Sequence, residues 1–528
     1  MGSKKLQVWL PLILSGVMVV GMMIGFGLRD KSINNIFLSS GKKSSIQEAM
    51  DLVKNKYVDP IKTDSLNQII IDQFLSQLDP HSVFIPATDL KEVNEELMGN
   101  FQGIGVEFQL FNDTMNIVNV IKNGPSEKAG LMIGDEIIKV NDTILLAGQK
   151  IAADKIRKHL RGLEGSTVKL TLLRDGKLKD VVITRGNIPV SSIDAAYIVA
   201  PAVGYIRINK FAENTYREFM NNLENLQKQG MQKLILDLRG NGGGILSEAV
   251  NMADEFLSDD KLIVYTEGEH SPRQEYRCKR DGLFETGSLI VLVDETSASA
   301  SEVLTGALQD WDRATIIGRR TFGKGLVQQQ FTLSDGSAVR LTIARYYTPL
   351  GRNIQKPYNK GKENYEEELL NRFHDGELVK PDLSAVKGKP FKTPKGHLVY
   401  GGGGITPDIF IPFDTAHMGL AYMNLFRKNV LANFVYHHYK EHVTVFKPIK
   451  TVNELMEKFK PAEKEWVEFK AFAAKDSISI DNIKPKEKED LLQRMQALMG
   501  RQLFNNEGYF EVLNHHDDAI EKALGSLK

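Results

Sequence analysis

The chain has 528 residues, 67 Lys plus Arg against 67 Asp plus Glu, 42% hydrophobic residues and one cysteine. Balanced charge gives no basic field to hold nucleic acid, so that partner is disfavoured. The lone Cys278 excludes an intrachain disulfide and has no base in "YRCKRD" to activate it. Packing must therefore stabilise a chain long enough for about three or four domains.

Residues 1–5, with Lys4 and Lys5, form a basic tip ahead of residues 6–28, which are apolar and uncharged. That length crosses a bilayer. The positive flank points the N-terminus to the cytoplasm, and no A-x-A-like cleavage site follows. The expectation is an uncleaved transmembrane signal anchor: a single-pass inner-membrane protein with its bulk in the periplasm or an equivalent extracytoplasmic space. Residues 29–43 read as a tether. Residues 44–99 read as helical, because "IQEAMDLVKNKY" and "LNQIIIDQFLSQL" carry apolar residues at three-and-four spacing.

Between residues 100 and 186 the texture changes to short strands with turns at "NGP" and "RDGK". The strings "GIGVEF", "NGPSEKAGLMIGDEIIKVND" and "ADKIRKHLRG" make this segment resemble a PDZ domain. The resemblance implies that the loop of Gly103, Ile104, Gly105 and Val106 presents N–H groups to a peptide C-terminal carboxylate, with the peptide adding a strand to the sheet edge. Residues 187–415 then alternate strands ("VGYIRI", "KLILDLRGNGGG", "SLIVLVDE", "ATIIGRR", "AVRLTIARYYT") with helices, the mark of an α/β core. A polar stretch, 359–395, reads as an insertion or flexible loop, and 416–528 is helical without legible chemistry. No internal repeat is present.

The chemistry concentrates in "LIVLVDETSASASEVLTGAL", where a buried strand turns into a helix at a cluster of serines. Ser299 with Glu302 fits a capping box, the commonest use of a serine there. The same place suits a nucleophile, because a helix start offers free N–H groups and the positive end of the dipole to an oxyanion. Ala300 would supply one such N–H, and Gly243 or Gly244 of "GNGGG" a second; Ser297 and Ser301 read as caps or supporting donors.

Serine needs a base. Residues 318–324 fit G-x-x-x-x-G-K, but Gly325 follows where a phosphate loop needs Ser or Thr, so nucleotide hydrolysis is disfavoured. Desolvated, Lys324 can instead be a neutral general base; a surface lysine in a turn is the plainer reading. No histidine lies in the core near the serine: His81 is in the N-terminal helical part, while His374 and His397 border or occupy the polar stretch, so a Ser-His-Asp triad is disfavoured. His438 and His442 are four residues apart without an evident third ligand, and neither metal nor cofactor is expected.

The stretch "TSASASEVLTGALQDWDRATIIGRRTFGKGLVQQ", with "LDPHSVFIP", "DLRGNGGG", "YYTPLGRNIQ" and "GGGGITPD" in order, resembles the PDZ-containing C-terminal processing, or tail-specific, serine proteases. The resemblance implies a Ser–Lys dyad of Ser299 and Lys324, with Gln328 holding the amine. It also implies polypeptide substrates with free apolar C-termini, and a homodimer through N-terminal helices. The expected fold is multidomain α+β: membrane anchor and helices, PDZ-like β-rich domain, α/β serine protease core, helical C-terminal extension. A membrane-tethered PDZ scaffold, or a catalytically silent peptide-binding module on the same fold, is the alternative.

Overall fold

The computed structural model describes residues 44–61, 63–111, 113–142, 144–145, 151–258, 260–380, 388–416 and 419–527, with Val17. Apart from Val17, the expected tip, anchor and tether lie outside the described residues. Among the described residues no helix is long and apolar enough to cross a membrane. The chain divides into two compact units, Met1–Ile71 and Asp72–Lys528. In the first, helix Ser45–Lys56 starts at a capping box: the Ser44 hydroxyl accepts from the Gln47 N–H, and the Gln47 side chain accepts from the Ser44 N–H, both at 3.3 Å. This helix buries none of its residues.

The second unit is built on a six-stranded sheet. Its order is Ile193–Ala200, Val203–Ile208, Lys233–Asp237, Leu289–Val293, Thr315–Gly318, Ile409–Phe410, with only the first pair antiparallel. Every residue of Leu289–Val293 is buried, as its unbroken apolar run requires of a strand covered on both faces. Helices Thr215–Lys228, Leu246–Asp254 and Ala300–Asp310 pack Phe219, Met252, Leu304 and Leu308 into the main core. A second sheet pairs Ala338–Tyr347 with Leu326–Thr332, with Leu262–Gly268 and with the short strand Val83–Ile85. The string "SVFIP" thus inserts from the helical N-terminal region into the core.

The PDZ-type sheet runs Val106–Phe111, Thr114–Val120, Glu136–Val140, Thr167–Arg174, Lys177–Thr184. Helix Ala153–Leu160 turns Ile156 and Leu160 into its core. The C-terminal extension is helical, with a core of its own that includes Leu431, Phe434, Trp466, Phe469 and Leu491. One expectation needs correcting. The polar stretch 359–395 contains helix Lys362–His374, which buries Tyr365 and Arg372. Its apolar residues are too few to show a period, and charge holds it in place: Arg320 binds Glu377 at 2.7 Å and Glu368 at 3.3 Å.

At the end of strand Lys233–Asp237, the buried Asp237 carboxylate accepts from Tyr205 Oη, Arg207 Nη1 and Arg239 Nη2, each at 2.7 Å. Arg239 also reaches Asp517 of the extension at 2.8 Å. Burial opposes ionisation, but the two guanidinium groups outweigh it and hold Asp237 well below the usual carboxylate range. Its contribution to stability is therefore present above the unfolded pKa of about 3.9 and lost as pH falls below it. Asp237→Asn leaves two buried cations short of their partner and is expected to cost about 3 to 5 kcal/mol at pH 7. Urea denaturation checks this, and the gap between the two proteins should narrow below pH ~4.

Candidate active site

Ser299 stands at the start of helix Ala300–Asp310 with φ 55° and ψ −114°, a conformation that costs an L-residue energy and recurs at functional sites. What holds it there is Glu302, which is completely buried. Glu302 Oε2 accepts the N–H of Ser299 at 2.9 Å and of Lys324 at 2.8 Å. Its Oε1 accepts the N–H of Gly323 at 2.7 Å and the Thr321 hydroxyl at 2.5 Å. The capping glutamate therefore also fastens the turn of the serine to the loop of the lysine. Burial pushes its carboxyl up to about 7, against the pull of these four donors.

The first-turn N–H groups of Glu302 and Val303 go to the Ser299 carbonyl, at 2.8 and 2.9 Å, and the Ser299 hydroxyl makes no capping bond. Ser297 and Ser301 are buried and occupied: Ser297 Oγ donates to the Leu238 carbonyl and Ser301 Oγ to the Asn241 carbonyl, both at 2.9 Å. Of the three serines, Ser299 alone is partly open to solvent.

Lys324 forms no ion pair among the described residues. Burial and the Arg340 charge push its amine below the ordinary lysine value, against Glu302 and Asp79. The N–H groups of Gly323 and Lys324, which a phosphate loop would present to a nucleotide, are taken by Glu302, so the G-x-x-x-x-G-K match is a coincidence of spelling. Tyr346 adds a second tie. Its hydroxyl lies 2.5 Å from the Lys324 carbonyl and 3.2 Å from that of Ser299. No hydrogen bond joins Lys324 Nζ to Ser299 Oγ in this conformation. Gln328 was expected to hold the amine; its Nε2 instead donates to Thr342 Oγ1 at 3.3 Å.

Gly243 lies against the serine turn: a Cβ there would meet Ser299 Cβ at 2.8 Å and Ala300 N at 2.9 Å. Its own N–H is spent on Asn241 Oδ1 at 2.8 Å. The N–H groups of Ala300 and Gly244 make no hydrogen bond among the described residues. Gly244 has φ 144°, and a Cβ there would strike the Phe211 carbonyl at 2.0 Å, so glycine is obligatory.

The sequence reading missed the flank that "LDPHS" builds. Asp79 Oδ1 accepts from the N–H groups of His81 and Ser82, at 2.8 and 2.9 Å, and from Thr342 Oγ1 at 3.0 Å. A chain of contacts thus runs from Asp79 through Thr342 to Gln328. His81, expected far from the site, comes within electrostatic reach of Lys324: burial first, then that charge, pushes its ring down to about 4. Its Nε2 lies 2.8 Å from Tyr365 Oη. The strand Val83–Ile85 carries this string inward, a pairing distant in sequence that no local pattern announces. His397 instead pairs with Asp312 at 2.8 Å and is largely exposed.

Away from this centre, Gly105 takes φ 77°, while the Ile104 and Gly105 carbonyls accept from Ser126 and Ile121 inside the PDZ-type domain. Residues 103–106, helix Ala153–Leu160 and part of the extension line one cavity of about 920 Å³, which none of Ser299, Lys324 and Gln328 touches. Among the described residues no three His, Cys, Asp or Glu are grouped to hold a metal ion. His438 and His442 stack ring on ring at 4.4 Å, and Cys278 is a buried thiol pushed up to about 12.

Residues 202–362 match the model of peptidase family S41, residues 102–184 that of the PDZ domain, and residues 421–505 a family of unknown function. A "Probable CtpA-like serine protease" of Staphylococcus haemolyticus is 37% identical over 312 residues, 58% of this chain and 62% of that protein. The chain thus spans less than two thirds of that relative's length. The protein of the same description from Staphylococcus epidermidis is 35% identical over 365 residues, 66% of this chain and 72% of that one. Among solved structures, the photosystem II D1 C-terminal processing protease is 27% identical and covers 70% of this chain and 87% of its own, with a TM-score of 0.37. The matched domains define the class, a serine peptidase family bearing a PDZ domain. Within that class the chain belongs to the C-terminal processing proteases.

The Glu302 bridge is directly testable. Each Glu302 oxygen accepts two donors and an amide keeps one such oxygen, so Glu302→Gln takes the acceptor from two buried donors. The expected loss is about 1 to 3 kcal/mol of stability, read by urea denaturation, together with a fall in proteolysis of an unfolded protein substrate.

Proposed function

We propose that the chain is a serine endopeptidase that captures the free C-terminus of a polypeptide in its PDZ domain and hydrolyses the chain at Ser299, with Lys324 as general base. One observation carries the reading. A single buried carboxylate, Glu302, binds the N–H of a partly open serine in a strained turn and the N–H of a partly buried lysine. With its amine neutral, Lys324 takes the Ser299 proton as Oγ attacks the scissile carbonyl, then returns it to the leaving amine. The Ala300 N–H and one from the glycine loop, with Gly244 the free candidate, stabilise the oxyanion. Gln328 orients the lysine in a working conformation that departs from its present contact with Thr342.

The peptide-capture half of the reading is supported by the match to the PDZ model and by the edge of strand Val106–Phe111, which among the described residues pairs on one side only. Membrane attachment through residues 6–28, an extracytoplasmic catalytic part and self-association through the N-terminal helices complete the reading; they rest on sequence pattern and resemblance.

Ser299→Ala is expected to abolish cleavage of an unfolded substrate, and Lys324→Arg to do the same while keeping the charge, because guanidinium does not deprotonate. Turnover by either variant overturns the assignment. The limb of kcat/KM that rises with pH should lie below the ordinary lysine value of about 10.4. The Arg340 charge favours the neutral amine, so Arg340→Gln should move that limb to higher pH. Amidating the C-terminus of a model substrate removes charge-assisted hydrogen bonds and should lower kcat/KM roughly tenfold to a hundredfold. Equal rates for free-acid and amidated forms would refute capture by the carboxylate.

A further inference from the structure

The C-terminal extension packs on the PDZ-type sheet beside its unpaired edge. On strand Val106–Phe111 the side chains of Val106, Phe108 and Leu110 turn into the domain's own core. The intervening residues meet the extension: Glu107 pairs with Arg501 at 3.2 Å, and Phe111 stacks on Tyr436 with ring centroids 5.0 Å apart. The neighbouring strand skips Val118 in its pairing, and the Val118 carbonyl accepts from Gln502 Nε2 at 3.1 Å. The face of this sheet that points away from the PDZ core is therefore covered by helices from the far end of the chain.

The contact comes from an elbow. Helix Pro485–Leu513 breaks at Phe504 (φ −130°, ψ 17°) and Asn505 (φ 60°, ψ −155°). Its two arms close tightly, because a Cβ on Gly500 would stand 2.6 Å from the Gly508 carbonyl. Beyond the break, Asn506 holds Asp194 at 2.9 Å and Glu507 accepts the Ala196 N–H at 3.3 Å, which pins the elbow to the first strand of the core sheet. Leu498, Arg501, Phe504 and Asn505 then form the wall of the cavity that faces residues 103–106 and helix Ala153–Leu160. A strained non-glycine residue at a cavity wall is where a fold stores conformational cost for a use.

We propose that this elbow is a second reading surface for the substrate tail, so that specificity is shared between the PDZ domain and the extension. The inference rests on the reading that the tail adds a strand to the edge Val106–Phe111. Successive side chains of a strand point to opposite faces. One alternate set of the tail's residues therefore enters the PDZ core, and the other meets Leu498 and Phe504. Without this cover that second set would face water. The preferred substrate is a polypeptide whose last residues are apolar on both faces of the strand, not on one.

The test uses the Ser299→Ala chain, which holds a peptide without cutting it. Fluorescence anisotropy gives Kd for a labelled free-acid octapeptide of Leu and Val, and for the same peptide with each position changed singly to Ser. The series is repeated in the background of Phe504→Ala and, separately, of Leu498→Ala; thermal melts confirm that each is folded. Burial of one Leu-sized side chain makes the expected cost of each Ser change about tenfold in Kd. In the elbow variants that cost should vanish at one alternate set of positions and persist at the other. A uniform loss across all positions, or no change in either variant, overturns the proposal. If neither the free-acid nor the amidated peptide binds the unaltered Ser299→Ala chain, tail capture itself fails and this inference falls with it, an outcome distinct from binding that ignores the elbow.

Discussion

Everything at the centre of this molecule hangs on one buried carboxylate. Glu302 receives four donors, three of them backbone N–H groups from two separate segments. A buried acceptor so fully used is costly to replace, since each orphaned N–H carries its own desolvation penalty. The geometric result is that the turn of Ser299 and the loop of Lys324 move together, with the Tyr346 hydroxyl against both carbonyls as a second clasp. The side chains keep their freedom while their backbones do not, which suits a pair whose present conformation has no direct bond between hydroxyl and amine.

Local pattern made part of this legible. The apolar run Leu289–Val293 and the helix after it follow from periodicity, and the serine at their junction follows from where a helix leaves N–H groups free. For Lys324 spacing left a base and a surface turn both open and the resemblance supplied the base; its burial argues against a surface turn. What spacing could not give is the identity of the neighbours. Asp79, His81 and Tyr365 reach the lysine flank through the strand Val83–Ile85 and helix Lys362–His374, contacts that span much of the chain and leave no trace in a window of a dozen residues. The same limit explains Gln328. Four residues after the lysine it sits on a strand, where its partner is decided by the strand opposite, and Thr342 is the residue there.

The extension taught a different lesson. Its helices were plain from the sequence while their purpose was not, because an amphipathic face says that it is covered and not by what. Its polar ties are Arg501 to Glu107 on the PDZ sheet, and Asn506 to Asp194 and Asp517 to Arg239 on the core, while Ile520 and Ala523 of its last helix pack into the apolar face of the central sheet. The buried arginine pair around Asp237 is thus both an internal support of the central strand and the anchor point for the last helix of the chain. The elbow at Phe504 and Asn505 stands between the PDZ-type domain and the core, which also meet at a short strand pair, Asn100–Gly103 with Gly186–Pro189.

The pairing of Val83–Ile85 with Ala338–Tyr347 also sets an order of events during synthesis. The first strand leaves the ribosome long before its partner exists, and the Asp79 and His81 it positions have nothing to flank until then. Closing so large a loop is slow and late by its entropy. Until residues 338–347 have been made and have docked, the Arg340 charge that, after burial, helps to lower the Lys324 amine is not in place, since Arg340 lies on that same strand. On the proposed assignment of Lys324 as base, a nascent chain therefore carries the serine before its base is fully tuned, and the capacity to cut arises only in a molecule whose central domain is already complete.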